Sequence, residues 1–293
     1  MDSPHTVAAE KAGTDGAAVT AVDFGLKGPR GWAFRGVDFA APAGSFVAIE
    51  GVSGSGRTCL LLALTGRMRA TEGHAEVGGL LLPKKMAAVR GVSGLGPVTG
   101  VNELDPAFTV AEHLRERALL QSRFDRGLRS LFQRPAKRRA DARARIDAAM
   151  EAAGLDLDSL PKGARTSVRD LERLEALRLS VGLALMGSPR LLAVDDADLK
   201  LSDAEREQAW ELLRSVAACG TTVLAVCSEP PEDALRLCVR NATKDAAEAE
   251  PAQSAADVKS SDSVKATDST ADTTDEGTTE EGTADALAET GRS

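Results

Sequence analysis

A glycine-rich segment between an apolar run and a helical pattern constrains the fold of this chain more than any other feature. Residues 45–50, SFVAIE, have the composition of a short buried strand, and residues 58–67 that of a helix. The segment between them, GVSGSGRT at residues 51–58, fits the pattern G-x-x-x-x-G-K-[ST] except that Arg57 takes the place of lysine. A strand that enters such a loop, followed by a helix, begins a βαβ unit, so we predict an α/β fold.

The same segment has the residue types of a phosphate-binding loop. Glycines allow the backbone to turn so that successive amides face phosphate oxygens, and the N-terminus of the next helix adds partial positive charge. Arginine keeps the charge of lysine but is larger and planar, so we expect phosphate binding to tolerate Arg57 better than catalysis does. The alternative is a glycine-serine turn that only joins a strand to a helix. The residues predicted to bind phosphate here are Gly51, Ser53, Gly54, Ser55, Gly56, Arg57, Thr58 and Cys59.

Further strands and helices are predicted along the rest of the chain. Residues 191–194, LLAV, are uniformly apolar and end in two aspartates, and residues 221–226 form another apolar run. Ser202 followed by Glu205 has the spacing of a capping box, which predicts a helix that starts there. The stretch 110–186 has a helical pattern.

The N-terminal third adds a predicted hairpin, and both ends of the chain differ in composition from the centre. Residues 19–26 and 32–39 are short strand patterns separated by a glycine- and proline-containing turn. Residues 1–17 lack periodicity, so we predict a flexible leader, followed by one domain over residues 18–242. Residues 243–293 are rich in alanine, serine, threonine and acids, and we predict a disordered acidic tail.

Charge and cysteine usage exclude several classes of protein. Residues 244–293 hold 13 acidic and 4 basic residues, whereas the whole chain has a net charge of −8, so the predicted domain is close to neutral. The four cysteines form no C-x-x-C pair, which argues against a disulfide framework or a zinc site. No apolar run approaches the length of about 20 residues that spans a bilayer, so membrane association would require a partner.

In their order and spacing, these segments resemble the ATP-binding subunits of ABC transporters from about Val19 to Cys238. The resemblance implies an α/β P-loop NTPase cassette with an antiparallel β subdomain and a helical subdomain at about 109–186. It also implies ATP and Mg²⁺ as ligands. By the same resemblance Asp195, at the end of the strand 191–194, holds the magnesium ion together with Thr58, and Asp196 orients the attacking water as the catalytic base.

The resemblance implies one further nucleotide contact. Trp32 precedes a strand in the position of the aromatic residue that stacks on adenine in the family. The alternative is a half-buried strand tryptophan without such a role.

Several positions depart from the family pattern, and they are the catalytic ones. In addition to Arg57, the shorter Asp196 replaces the usual glutamate, and Ser228 stands where a switch histidine is expected. LERLE at residues 171–175 takes the place of the LSGGQ signature, and residues 95–104 contain no glutamine. Two glutamates at the signature would repel a polyphosphate, so we expect this face to serve a partner's ATP poorly.

The resemblance implies the ATP-binding subunit of a transport system, working with an integral membrane permease and with a second cassette in a homo- or heterodimer. Its expected location is cytoplasmic, including the cytoplasmic face of a membrane. The alternative is a catalytically impaired regulatory or scaffold protein with the same fold. The basic stretch 123–145 is expected to be a solvated helix face, with docking to a partner or a membrane as the alternative. Few aromatic residues accompany it, so nucleic-acid binding is disfavoured.

Overall fold

The computed structural model describes residues 16–124 and 135–239, and within these ranges the chain forms nine strands and six α-helices. In chain order the elements are β1 Val19–Gly28, β2 Gly31–Ala41, β3 Phe46–Glu50, α1 Arg57–Leu64, β4 Glu72–Val77, β5 Leu80–Leu82, α2 Met86–Val92, β6 Ser93–Leu95, α3 Val110–Phe124, α4 Pro135–Ala152, α5 Arg173–Leu185, β7 Leu191–Val194, α6 Asp203–Ala218, β8 Thr222–Val226 and β9 Leu235–Cys238.

The strands form two sheets of different character. β2, β1, β4 and β5 make an antiparallel sheet in that order, whereas β6, β7, β8, β3 and β9 make a sheet in which every neighbouring pair is parallel. The central strands β3, β7 and β8 are short and almost entirely buried, as expected for a parallel sheet covered on both faces. Both sheets agree with the predicted α/β cassette.

Two clusters of apolar side chains cover the parallel sheet. One joins the antiparallel sheet and α1, and its aromatic pair is Phe24 and Phe34, with ring centroids 5.7 Å apart. The other lies under α5 and α6, where Trp210 is 3% exposed and packs against Phe46 with ring centroids 6.1 Å apart. α6 begins where the capping box predicts, because Glu205 donates its amide to the Ser202 side chain and accepts the Ser202 amide at 2.8 Å.

The helices α3, α4 and α5 form a third cluster between Val110 and Met186. Leu114 on α3 and Met150 on α4 are buried there, so the predicted helical stretch has its own core. Leu119 and Leu120, on the same predicted helical run, are exposed. Among the described residues, no helix is both long enough and apolar enough to cross a membrane.

The structure corrects the predicted start of the domain. Gly16 and Ala17, assigned to a flexible leader, are buried, and the Ala17 amide donates to the Arg190 carbonyl at 3.0 Å. The domain therefore begins before residue 18, because both residues ahead of β1 are held by Arg190, whose Nη2 donates to the Gly16 carbonyl at 3.2 Å. Residues 1–15 and the predicted acidic tail lie outside the described residues.

The burial of the central sheet predicts that two Leu→Ala substitutions lower the free energy of unfolding by different amounts. Leu192 in β7 is 0% exposed, so Leu192→Ala leaves a cavity and should lower the free energy of unfolding by about 2–5 kcal/mol. Leu235 in the edge strand β9 is 46% exposed, and Leu235→Ala should cost less than about 1 kcal/mol. Urea denaturation of both variants checks this, and equal losses would contradict the placement of β7 at the centre of the core.

Candidate phosphate-binding site

The carboxyl ends of the parallel strands bring together segments that are far apart in the sequence. β8 lies between β3 and β7, so the loop after β3, the aspartates after β7 and the turn after β8 meet at one edge. The Asp195 amide donates to the Pro97 carbonyl at 3.0 Å, which adds the segment after β6 to the same edge. This is where open α/β sheets bind their ligands.

The loop between β3 and α1 has a backbone that requires glycine. Gly54 and Gly56 have φ angles of 80° and 88°, in the left-handed region that side chains disfavour. A Cβ atom on Gly56 would lie 1.9 Å from the Ala33 carbonyl oxygen of β2, so that strand packs directly on the start of α1. The backbone of the predicted phosphate loop therefore has a conformation that only glycine adopts easily at these two positions.

Thr58 and Asp195 meet as the predicted metal site requires. The Thr58 hydroxyl donates to Asp195 Oδ2 at 2.8 Å, although the residues are 137 positions apart. Asp195 is 4% exposed, and burial is the main cause that raises the pKa of its carboxyl, against the lowering effect of the Thr58 hydrogen bond. Within the described residues, the buried Asp195 Oδ1 and Ser55 Oγ have no hydrogen-bond partner.

These unpartnered oxygens are an observation in favour of a magnesium ion. A buried polar atom without a partner is costly, and oxygen atoms from hydroxyl and carboxylate groups are the ligands that Mg²⁺ prefers. Among the described residues no three His, Cys, Asp or Glu side chains cluster as a metal cage. Such a small set of protein oxygens fits an ion that is held mainly by phosphates and water.

The Arg57 side chain, which was predicted to bind phosphate, forms a hydrogen bond within the chain instead. Its Nη1 donates to the Cys227 carbonyl oxygen at 2.8 Å, at the end of β8. The guanidinium thereby ties the first turn of α1 to β8. For Arg57 to contact a phosphate, this hydrogen bond would have to break.

Asp196 lies next to the metal site in an unusual backbone conformation. Its φ angle is 47°, in the left-handed region, and its side chain is partly exposed. This turn directs the chain away from β7, since the Ala197 amide donates to the Val226 carbonyl of β8 at 2.9 Å. The predicted base therefore follows immediately after the buried Asp195.

Asp198 is a residue of this edge that the sequence reasoning missed. Its Oδ2 accepts the backbone amides of both Ser228 and Glu229 at 2.8 Å. Glu229 in turn forms an ion pair with Arg206 of α6, with 3.1 Å between the charged atoms. Asp198 and Arg206 therefore both bind the segment at the switch-histidine position. In the sequence, the sign of this contact is one more acidic residue after Asp195 and Asp196.

Trp32 lies beside the loop but is not an open stacking surface. Lys27 Nζ and Arg35 Cζ lie 5.3 Å and 4.7 Å from its ring centroid, so two cations accompany the ring. Its neighbour Ala33 is the residue that packs on Gly56. The ring is therefore close to the phosphate loop in the chain, and a base that stacks on it must compete with a cation–π contact.

Two other departures from the family pattern are occupied by contacts within the chain. In the segment without glutamine, the Asn102 side chain donates to the carbonyls of Leu95 and Gly96 at 3.1 and 2.7 Å. At the signature position, the Glu175 carboxylate accepts the Glu172 amide at 2.8 Å where α5 begins. A carboxylate of the chain itself therefore lies at the helix N-terminus where a phosphate is expected in the family.

Comparison with known proteins assigns the family. The family described as "ABC transporter" matches residues 34–198, more than half of the chain, so the chain belongs to the ABC transporter family. It is 30% identical over 203 residues to the Nod factor export ATP-binding protein I of Ralstonia nicotianae, covering 69% of this chain and 56% of that protein. The protein of the same name from Rhizobium meliloti is 29% identical over 205 residues, covering 70% and 55%. The chain thus spans little more than half the length of these relatives.

Solved structures confirm the predicted fold class. A bacterial Atm1-family ABC exporter with ATP bound matches with a TM-score of 0.59 and 21% identity, over 80% of this chain and 40% of that one. A dimeric bacterial ABC transporter cassette matches with a TM-score of 0.57 and 20% identity, over 75% and 94%. At these identities the likeness shows the fold alone.

The burial of Cys227 leads to a prediction about thiol reactivity. Cys227 is 1% exposed, and burial, reinforced by Asp198 and Glu50, raises the pKa of its thiol to about 12. Because only the thiolate reacts with iodoacetamide, Cys227 should stay unmodified at mildly alkaline pH while the exposed Cys219 is alkylated. Peptide mapping by mass spectrometry checks this, and equal labelling of both cysteines in the folded protein would contradict the burial of Cys227.

Proposed function

We propose that this protein is the ATP-binding subunit of an ABC-type transport system and binds Mg-ATP at the edge formed by β3, β7 and β8. The observation that carries the proposal is the contact of Thr58 with Asp195 at 2.8 Å, beside buried oxygen atoms that lack partners. Membership of the ABC transporter family supports the same ligand.

Each predicted site residue has a proposed role. The amides of the loop from Gly51 to Thr58 surround the phosphates, and Trp32 contacts the adenine after one of its cations moves aside. Thr58, Asp195 and the ATP phosphates hold the Mg²⁺ ion, whose positive charge neutralises the phosphate oxygens. Asp196 orients the water for hydrolysis and would be the catalytic base. Ser53, Ser55, Cys59 and Arg57 complete the proposed nucleotide contacts.

A second cassette is part of the proposal. At the start of α5 the Glu172 amide already donates to the Glu175 carboxylate, and Leu174 is buried. The signature position therefore has few free hydrogen-bond donors, and negative charge, for a γ-phosphate bound to another subunit. A partner with an unaltered signature would complete the site of this chain more effectively than a second copy. We therefore favour a heterodimer over a homodimer.

A groove beside the helices supports contact with a membrane permease at the cytoplasmic face of a membrane. This groove has a volume of about 460 Å³ and lies between the segment after β6 and the helices α3 and α5. Phe108 and Leu120, which are 41% and 40% exposed, give it an apolar surface. Three acidic residues, Glu103, Asp105 and Glu116, line it against one arginine, Arg117, and this excess of negative charge suits a partner segment with apolar and basic side chains.

The alternative, a regulatory or scaffold protein without turnover, rests on the altered positions alone. The family and the names of the relatives favour the transport function. The two are distinguished by ATP turnover, measured with the chain alone and with its membrane partner and second cassette.

The proposed metal site predicts the effect of removing one hydroxyl. Thr58→Val keeps the shape of the side chain but removes the group that reaches Asp195, so Mg-ATP should bind about tenfold more weakly. Thr20→Val is the matched control, because Thr20 is exposed on β1 and should leave the Kd unchanged. Calorimetry on the full chain measures both. Absence of Mg-ATP binding to the unaltered protein would sink the proposal and favour the scaffold.

Because the side chain of Asp196 is short, we predict that lengthening it increases the rate of ATP hydrolysis. Asp196→Glu restores the missing methylene and should raise the rate of ATP hydrolysis, whereas Asp196→Asn removes the base and should lower any turnover by about 10²-fold or more. Phosphate release in the presence of Mg-ATP measures both variants. Equal rates for the three proteins would show that Asp196 has no catalytic role.

A further inference from the structure

Two side chains from other parts of the chain hold the three residues that follow β8. Arg57 Nη1 donates to the Cys227 carbonyl at 2.8 Å. Asp198 Oδ2 accepts the amides of Ser228 and Glu229, each at 2.8 Å. We call residues 227–229 the β8 exit. One cation and one carboxylate therefore fix the backbone of the β8 exit, at a carbonyl and at two amides.

Two further contacts of the β8 exit differ in strength. The Cys227 amide donates to the Ile49 carbonyl at 3.1 Å, which continues the pairing of β8 with β3. Glu229 forms an ion pair with Arg206, but the Glu229 side chain is 68% exposed, and exposed pairs contribute little. Ser228 and Glu229 are themselves exposed beyond the sheet. Loss of the guanidinium contact should therefore loosen these last two residues while β8 stays paired.

Arg57 lies where bound phosphate would compete for its guanidinium. It is the first residue of α1 and precedes Thr58, whose hydroxyl donates to Asp195 at 2.8 Å. It therefore belongs to the loop for which we propose contacts with the phosphates of ATP. A guanidinium binds phosphate more strongly than a neutral carbonyl, because both partners are charged and two parallel hydrogen bonds can form. Mg-ATP at this loop would thus compete with the Cys227 carbonyl.

A lysine in place of Arg57 could not make the same connection. Its ammonium ends one bond short of the Nη1 atom and is a compact point charge, whereas the guanidinium is a planar fork of donors. The contact with the β8 exit is thus specific to the residue that departs from the family pattern. Ser228, at the switch-histidine position, lacks an imidazole that could contact a phosphate. Arg57 offers another route from a bound phosphate to this segment.

We propose that Arg57 exchanges the Cys227 carbonyl for a phosphate oxygen when Mg-ATP binds, and that this exchange releases the β8 exit. The inference rests on the proposed function, because it requires Mg-ATP at the phosphate loop. Asp198 keeps its hydrogen bonds to the two amides, so the segment becomes more mobile without leaving the protein. The turn at the switch-histidine position thereby responds to phosphate without a histidine.

Hydrogen exchange of the full chain, followed by mass spectrometry, tests the proposal. The β8 exit is well suited to this measurement, because Pro230 and Pro231 follow it and have no amide hydrogen. Mg-ATP, at a concentration that calorimetry shows to be saturating, should speed exchange of the Ser228 and Glu229 amides about tenfold. The amides of β8 should remain slow, since this strand stays paired with β3 and β7.

The same substitution at two arginines makes the test specific. Arg57→Lys keeps a cation for the phosphates but removes the reach to the Cys227 carbonyl. Without nucleotide the two amides should therefore exchange about tenfold faster than in the unaltered protein, and Mg-ATP should change them by less than about twofold. Arg69→Lys is the matched control, because Arg69 is exposed, and this variant should match the unaltered protein in both states. Thermal unfolding verifies that both variants are folded, and calorimetry measures their binding of Mg-ATP.

The outcomes separate this inference from the proposed function. If Mg-ATP binds to the unaltered protein but the two amides exchange at an unchanged or lower rate, Arg57 does not release the β8 exit and the inference alone is wrong. It is also wrong if Arg57→Lys exchanges like the unaltered protein without nucleotide, because the guanidinium then does not hold the segment. Absence of Mg-ATP binding to the unaltered protein would overturn the proposed function and this inference together.

Discussion

The order of the parallel strands is the constraint on which the site depends. With β8 between β3 and β7, the start of α1 and the end of β7 are close enough for Thr58 to donate to Asp195 at 2.8 Å. The same order brings the Cys227 carbonyl within reach of Arg57. Both contacts arise because β3, β8 and β7 are parallel, so that the residues after each strand lie at the same edge of the sheet.

The features that could be predicted from the sequence are local ones. The phosphate loop is recognisable from its glycines, because Gly54 and Gly56 have left-handed φ angles that favour this residue. The capping box of Ser202 and Glu205 spans one helical turn. Strand β7 was recognised from four apolar residues in succession. In each case the signal and the structure it specifies lie within a few residues of each other.

The features that could not be predicted depend on distant partners. Arg57 finds its carbonyl 170 residues further along the chain, and Asp198 binds amides 30 and 31 residues away. Strand β6 has only three residues and is stabilised by its pairing with β7, so its own sequence carries almost no strand pattern. Gly16 and Ala17 lack periodicity, and their burial results from distant partners, because Gly16 lies beside Gly44 and Gly220 and the Ala17 amide donates to the Arg190 carbonyl.

Trp32 and Trp210 give the protein two separate optical reporters. The chain contains two tryptophans and no tyrosine, so its intrinsic ultraviolet fluorescence originates from these two rings apart from a weak phenylalanine contribution. Trp210 is 3% exposed in the core under α6, whereas Trp32 is partly exposed between two cations beside the candidate site. Replacing either ring by phenylalanine therefore leaves a signal from one region, the core around Trp210 or the surface around Trp32 where we propose that a base binds.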